Sequence, residues 1–173
     1  NVHGGPQSHW QDSFRGDWQV YPGAGYVIAF FNPHGSTGYG QEYTNAISRD
    51  WGGKVYEDVM KVTDALEALP YVDADRVGAM GWSYGGYAAL SGVVSTPRLY
   101  RAAVDVVGPS NLKTLIDSVP EYWKPQIALF HTKVGNPETD SAAMTALADI
   151  LKARIARTGP ITLADYMGEC LMH

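Results

Sequence analysis

The sequence predicts an α/β fold, a parallel sheet with flanking helices, followed by a short helical hairpin. Two observations carry this. Short apolar runs at 26–31, 76–82 and 102–107 alternate with stretches of helical period, and strands alternating with helices argue for a parallel sheet covered on both faces. The share of apolar residues, 45% with 18% charged, suits a chain with a real core.

Residues 3–25, rich in Gly, Pro, Ser, Trp and Gln, read as a long loop with one helical turn. Residues 26–31 (YVIAFF) lie between Gly25 and Asn32-Pro33, the pattern of a strand buried on both faces. Residues 32–40 (NPHGSTGYG) are a glycine-rich loop. Val55, Val59, Val62, Leu66 and Leu69 fall at intervals of a helix period, and Pro70 ends that helix. A second strand is expected over 76–82, a helix over 87–95 and a third buried strand over 102–107. Residues 110–134 read as helix in two pieces broken at Pro120. In the tail, Ala143, Leu147, Ile150, Leu151 and Ile155 form one stripe of a helix that Gly159-Pro160 stops. Thr162 and Asp165 resemble a capping box opening another.

Composition excludes several functions. Thirteen basic and 18 acidic side chains give a net charge of −5, with no basic run, which argues against a nucleic-acid partner. The longest apolar run, residues 26–31, is far short of the roughly 18 residues that span a membrane as a helix. A single cysteine, Cys170, rules out an internal disulfide and a cysteine-rich metal site. It reads as a small apolar side chain. Opening on Asn1, without Met, the chain reads as a fragment of a longer protein.

The chemistry lies in Gly81-Trp82-Ser83-Tyr84-Gly85, a G-x-S-x-G pattern. Such a pattern makes a sharp strand-to-helix turn that lifts the serine hydroxyl above the sheet. Here an apolar strand precedes Ser83 and a helix follows, which is the context the pattern requires. Upstream, His3-Gly4-Gly5-Pro6 is a glycine-rich loop of the kind that supplies one backbone N–H of an oxyanion hole. The residue after the serine, Tyr84, supplies the other.

With both motifs in hand, residues 1–140 resemble the catalytic domain of the prolyl oligopeptidase family of serine peptidases, closest to its dipeptidyl-peptidase and acylaminoacyl-peptidase branches. The matching stretches are HGGPQSHW (3–10), GYVIAFFNPHGSTGYG (25–40), DWGGKVYEDV (50–59), YVDADRVGAMGWSYGGY (71–87), YWK (122–124) and VGNPETD (134–140). The resemblance implies the N-terminal half of an α/β-hydrolase fold. It implies Ser83 as nucleophile, the N–H groups of Gly5 and Tyr84 as oxyanion donors, a peptide substrate, and no metal or organic cofactor. In the dipeptidyl-peptidase branch a tyrosine side chain serves the oxyanion from the position His3 holds, so His3 points to the branches that use backbone. The resemblance also implies that the strand ending at His3 lies between those at 26–31 and 76–82. The family's catalytic Asp and His lie downstream of the matching stretches. None of His131, His173 or Asp105 is assigned in their place, so this chain alone is expected to be inactive.

His3 and Trp82 are candidates for the substrate pocket, and the Tyr84 side chain flanks the nucleophile with them. Trp10, Trp18, Trp51 and Tyr122-Trp123-Lys124 read as packing. The charged residues of the 53–69 helix read as a solvated face, with Asp58 the exception because it keeps company with the WGG turn. Residues 144–173 resemble the start of class I methyltransferases related to the arginine methyltransferase that assists complex I assembly, through Gly159-Pro160-Ile161 and Tyr166-Met167. The expected division is therefore 1–140 and 141–173. Two rival functions stand beside the peptidase: a carboxylesterase on the same elbow, and a non-catalytic or S-adenosylmethionine-dependent methyltransferase fragment.

Overall fold

The structure, a computed structural model, describes residues 1–96, 99–136 and 139–140. The tail stripe over 143–158, the capping box at Thr162, Cys170 and His173 lie outside the described residues. Two short helices, α1 (Asp17–Gly23) and α2 (Gln41–Asn45), punctuate the N-terminal loops. Then come α3 (Gly53–Glu67), a 3-10 turn at Ala74–Arg76, β1 (Gly78–Trp82), α4 (Tyr84–Ser95) and β2 (Ala102–Val106). The described chain ends with α5 (Leu112–Asp117), a 3-10 stretch at Glu121–Gln126 and α6 (Ile127–Lys133).

β1 and β2 pair in parallel, from Gly78 opposite Ala102 to Trp82 opposite Val106. α4 makes the crossover and packs on both strands and on α3. Val2 adds a one-residue parallel bridge to Gly81 on the other side of β1. Its N–H donates to the Met80 carbonyl at 2.9 Å, and the Asn1 nitrogen donates to the Ala29 carbonyl at 2.8 Å. The segment before His3 thus lies between residues 26–31 and β1, as the resemblance implied.

The run at 26–31 is not a strand among the described elements, and it is not buried: Tyr26 is 66% exposed. The backbone contact shown there is the Asn1–Ala29 bond, and no ladder forms along 26–31 among the described residues. β2 departs from the sequence reading in the same way. It forms over almost the expected residues, but Val106 is 43% exposed and Val104 no better covered. β1 is its one strand neighbour among the described residues. Apolar runs of this kind mark strands meant to be covered on both faces, and here half the cover is missing.

The core gathers Val2, Ile47, Trp51, Val55, Val59, Tyr84, Tyr87, Val94 and Tyr100. On α3 the buried stripe is Val55, Val59 and Thr63. Thr63 was not expected there. Its hydroxyl donates to the Val59 carbonyl at 2.9 Å and meets the Tyr100 hydroxyl at 3.1 Å, which satisfies a polar group that would be costly to bury bare. Trp18 and Trp51 pack as expected, Trp18 stacked on Phe30 at 3.5 Å. In the Tyr122-Trp123-Lys124 segment only Trp123 makes such a contact, with Phe130 at 6.3 Å between ring centroids. Tyr122 is 79% exposed, and Lys124 pairs with Glu121 at the surface.

Backbone crowding holds this small sheet together. A Cβ on Gly81 would stand 2.7 Å from Gly85 Cα, and one on Gly85 would stand 2.7 Å from the Val2 carbonyl carbon. Gly81→Ala should therefore cost at least about 3 kcal/mol or prevent folding, the upper end of overpacking penalties. Gly23, whose Cβ would meet nothing within 4 Å, is the control. Gly23→Ala should change stability by no more than about 1 kcal/mol. Urea melts followed by circular dichroism compare the two.

Candidate active site

β1 ends at Trp82 and α4 begins at Tyr84, so Ser83 alone makes the turn. Its backbone sits at φ 57, ψ −119, a conformation that costs a non-glycine residue of order 1–3 kcal/mol. The surroundings enforce it. Ser83 N–H donates to the Val106 carbonyl at 2.8 Å, and its own carbonyl accepts from Tyr87 N–H at 3.1 Å. The glycines at 81 and 85 let β1 and α4 meet without side chains between them. Ser83 is exposed at the tip of the turn.

The His3-Gly4-Gly5-Pro6 loop lies against this turn. A Cβ on Gly4 would be 3.3 Å from Ser83 Cβ and 3.0 Å from the Trp82 carbonyl oxygen. Gly5 adopts φ 127, open to glycine and strained for other residues. Among the described residues, neither Gly5 nor Tyr84 donates its N–H to a backbone carbonyl. For Tyr84 this follows from its place at a helix start, where the first N–H groups have no partner within the helix. Two N–H groups without a backbone partner therefore lie beside an exposed serine.

A second set of bonds pins the 3–10 loop to the 32–40 loop. Thr37 N–H donates to the Ser8 carbonyl at 2.9 Å. Asn32 Oδ1 accepts from Trp10 N–H at 2.7 Å, while Asn32 Nδ2 donates to the Trp10 carbonyl at 3.2 Å. The 32–40 loop is tied in turn to α3. Asp58 Oδ2 accepts from His34 N–H at 2.7 Å and lies 2.6 Å from His34 Nδ1, with the imidazole stacked on Tyr43.

Comparison with known proteins gives this arrangement a family. The profile of the prolyl oligopeptidase family matches residues 12–162. The chain belongs to the prolyl oligopeptidase family. It is 35% identical over 171 residues to dipeptidyl aminopeptidase BIII of Pseudoxanthomonas mexicana, covering 99% of this chain and 24% of that relative. The acylaminoacyl peptidase of Pyrococcus horikoshii superposes with a TM-score of 0.75 at 24% identity, over 84% of this chain and 23% of that one. An acylaminoacyl peptidase in complex with Z-Gly-Gly-Phe-chloromethyl ketone gives 0.74 at 26%, with the same coverage. The chain thus spans about a quarter of the length of these relatives, and its fold is part of an α/β-hydrolase. The family match runs past residue 140, and none of these findings supports a methyltransferase resemblance for 144–173.

Within this prolyl oligopeptidase framework the expected residues fall as follows. Trp82, 65% exposed, stands beside Ser83. The Tyr84 ring turns inward, donates its hydroxyl to the Trp51 carbonyl at 2.6 Å and packs edge-on against that indole. Burial raises its phenol well above the ordinary value. It anchors the turn to the loop before α3. His3 was expected beside substrate. It is 4% exposed, beneath the loop. Asp105 sits inside β2, where its Oδ1 accepts from Gly108 N–H at 2.7 Å. Among the described residues, no histidine hydrogen-bonds to Ser83. Asp58 was singled out in the sequence for its place near the WGG turn. Its partner His34 was missed, because only the fold brings two residues 24 positions apart together.

Burial depresses the pKa of His3 below 6.5, only partly offset by the Gly4 carbonyl it faces. The unfolded chain therefore takes up this proton first on acidification. The stability His3 contributes is complete above 6.5 and is lost as pH falls through that range. The melting temperature should drop from neutral to mildly acidic pH, and His3→Asn should flatten that part of the profile in a thermal scan.

Proposed function

We propose that this chain carries the nucleophile and oxyanion half of a serine peptidase that cleaves short peptides through an acyl-enzyme. The observation that carries the reading is Ser83, exposed and strained at the tip of the turn, with two free N–H donors beside it. The relatives' names, a dipeptidyl aminopeptidase and an acylaminoacyl peptidase complexed with a peptide chloromethyl ketone, support peptides as substrate.

In this reading Ser83 Oγ attacks the scissile carbonyl and its proton passes to a histidine base oriented by an aspartate. The carbonyl oxygen becomes an oxyanion held by Gly5 N–H and Tyr84 N–H. Collapse expels the amine, which takes the proton from the base. Water then attacks the acyl-Ser83 ester by the same route and frees the acid. Trp82, exposed at the mouth, offers an apolar face to the substrate side chain. The base and its aspartate are assigned to the part of the parent protein beyond this chain. Residues 1–140 are read as the N-terminal half of the peptidase domain, and the continuous family match favours residues 141–162 as its continuation.

A serine without its base is a weak nucleophile. Loss of the base in a serine peptidase costs about 10⁶-fold in turnover. The chain should leave aminoacyl-anilides uncleaved and react only slowly with a fluorophosphonate. Adding the remainder of a peptidase domain should restore rapid labelling, and Ser83→Ala should abolish it. Peptide mass spectrometry locates the label, and labelling at another serine would overturn the nucleophile assignment. Ester turnover without anilide turnover in the restored domain would favour an esterase.

A further inference from the structure

Both ring nitrogens of His3 are engaged. Nδ1 lies 2.7 Å from the Gly4 carbonyl oxygen and Nε2 lies 2.9 Å from Ser36 Oγ. A carbonyl oxygen only accepts, so Nδ1 carries a proton and donates it. Burial lowers the pKa of the ring, and the Gly4 carbonyl beside Nδ1 claims its hydrogen. The Ser36 hydroxyl donates to the Pro33 carbonyl at 2.7 Å, and its oxygen, held there, seats the ring from behind.

The Gly4 carbonyl and the Gly5 N–H are opposite ends of one planar trans peptide. Holding the oxygen therefore sets the direction of the hydrogen. This peptide needs holding, because glycine flanks it on both sides and each φ and ψ can turn at little steric cost. A flip would reverse the N–H while leaving the loop in place. Nothing else among the described residues bonds to that carbonyl.

We propose that His3 is a positioning residue whose Nδ1–H grips the Gly4 carbonyl and so aims the Gly5 N–H at the oxyanion formed on Ser83. The inference rests on the peptidase reading of Ser83. It adds a residue that never touches substrate, and it assigns the two ring nitrogens different tasks: Nδ1 aims the donor, and Nε2 seats the ring on the neighbouring loop.

Two substitutions separate these tasks. Asparagine places its amide nitrogen at about the reach of Nδ1, and glutamine at about that of Nε2. In the 173-residue chain, slow fluorophosphonate labelling of Ser83 is followed by peptide mass spectrometry over long incubation, with melting temperatures measured in parallel. His3→Asn should label within about threefold of the unaltered chain, whereas His3→Gln and His3→Ala should label at least about tenfold more slowly, as expected when one oxyanion donor is misaimed. Unimpaired labelling in His3→Gln would overturn the inference, as would an equal loss in all three variants. Independently, long-range ¹H–¹⁵N spectra of the unaltered chain carrying ¹⁵N-histidine should show the Nδ1–H tautomer at His3. An Nε2–H tautomer would overturn the inference alone. Persistent labelling in Ser83→Ala would instead overturn the nucleophile reading, and the inference with it.

Discussion

Everything in the site depends on three backbones meeting without side chains. Gly81 of β1 faces Gly85 of α4, and Gly85 faces Val2, while a Cβ on Gly86 would stand 2.9 Å from Gly108 Cα beyond β2. A Cβ on Gly108 would stand 2.6 Å from the Gly86 carbonyl carbon. At such separations a methyl group has no place to go, and protein interiors do not open to make one. The same contact that seats α4 on the sheet draws in the segment ending at His3. The fold and the place of the Gly4-Gly5 loop are therefore set by one constraint. The serine and the Gly4-Gly5 peptide are neighbours because Val2 can approach a helix that presents only glycine.

That approach also explains how the site tolerates strain. Two non-glycine residues with positive φ flank the turn, Ser83 at 57 and Val107 at 52. A β-branched residue in that region is unusual. They are linked, since Ser83 N–H donates to the carbonyl of Val106, the residue before Val107, and Asp105 ties the turn after β2 through Gly108. Strain of this order persists only where neighbours over-determine the backbone. Here the neighbours are hydrogen bonds from β2 and the buried face of α4, with Tyr84, Tyr87, Ala88 and Ala89 at its start. The Tyr84 hydroxyl, bonded to the Trp51 carbonyl, adds a tether from the far side.

Motifs whose logic is local were legible in the sequence. Glycine spacing around Ser83 announces a turn because the requirement is steric and confined to a few residues, α3 follows from its helical period, and β1 and β2 from short apolar runs, while α4 begins three residues before the expected helix. Three kinds of feature were not legible. The run at 26–31 has the composition of a buried strand, but composition does not supply a ladder, and none forms there among the described residues. Val104 and Val106 read as core for the same reason and are exposed. Polar contacts across loops, such as His34 with Asp58 and His3 with Ser36, join residues 24 and 33 positions apart and leave no periodic trace. Thr63 hides in a helical stripe because the hydroxyl that suits it to the core, through Tyr100, resembles a surface residue in composition.

The division of labour in the loops follows from these contacts. The 3–10 loop has no regular structure, so its shape must come from what it touches. Its ends are fixed on two different bodies: Val2 on β1 and α4, and Trp10 through Asn32 on the 32–40 loop. Between them His3 and Ser8 make further bonds to Ser36 and Thr37. The 32–40 loop in turn rests on α3 through Asp58. A displacement of α3 would therefore reach the Gly4-Gly5 peptide through three short bonded links, whereas Ser83 would feel it through the separate tether of Tyr84 to Trp51. Ser83 and the Gly4-Gly5 peptide are held by different routes to the same helix and the loop before it. This is how a glycine-rich loop, which has little stiffness of its own, keeps its register against the serine.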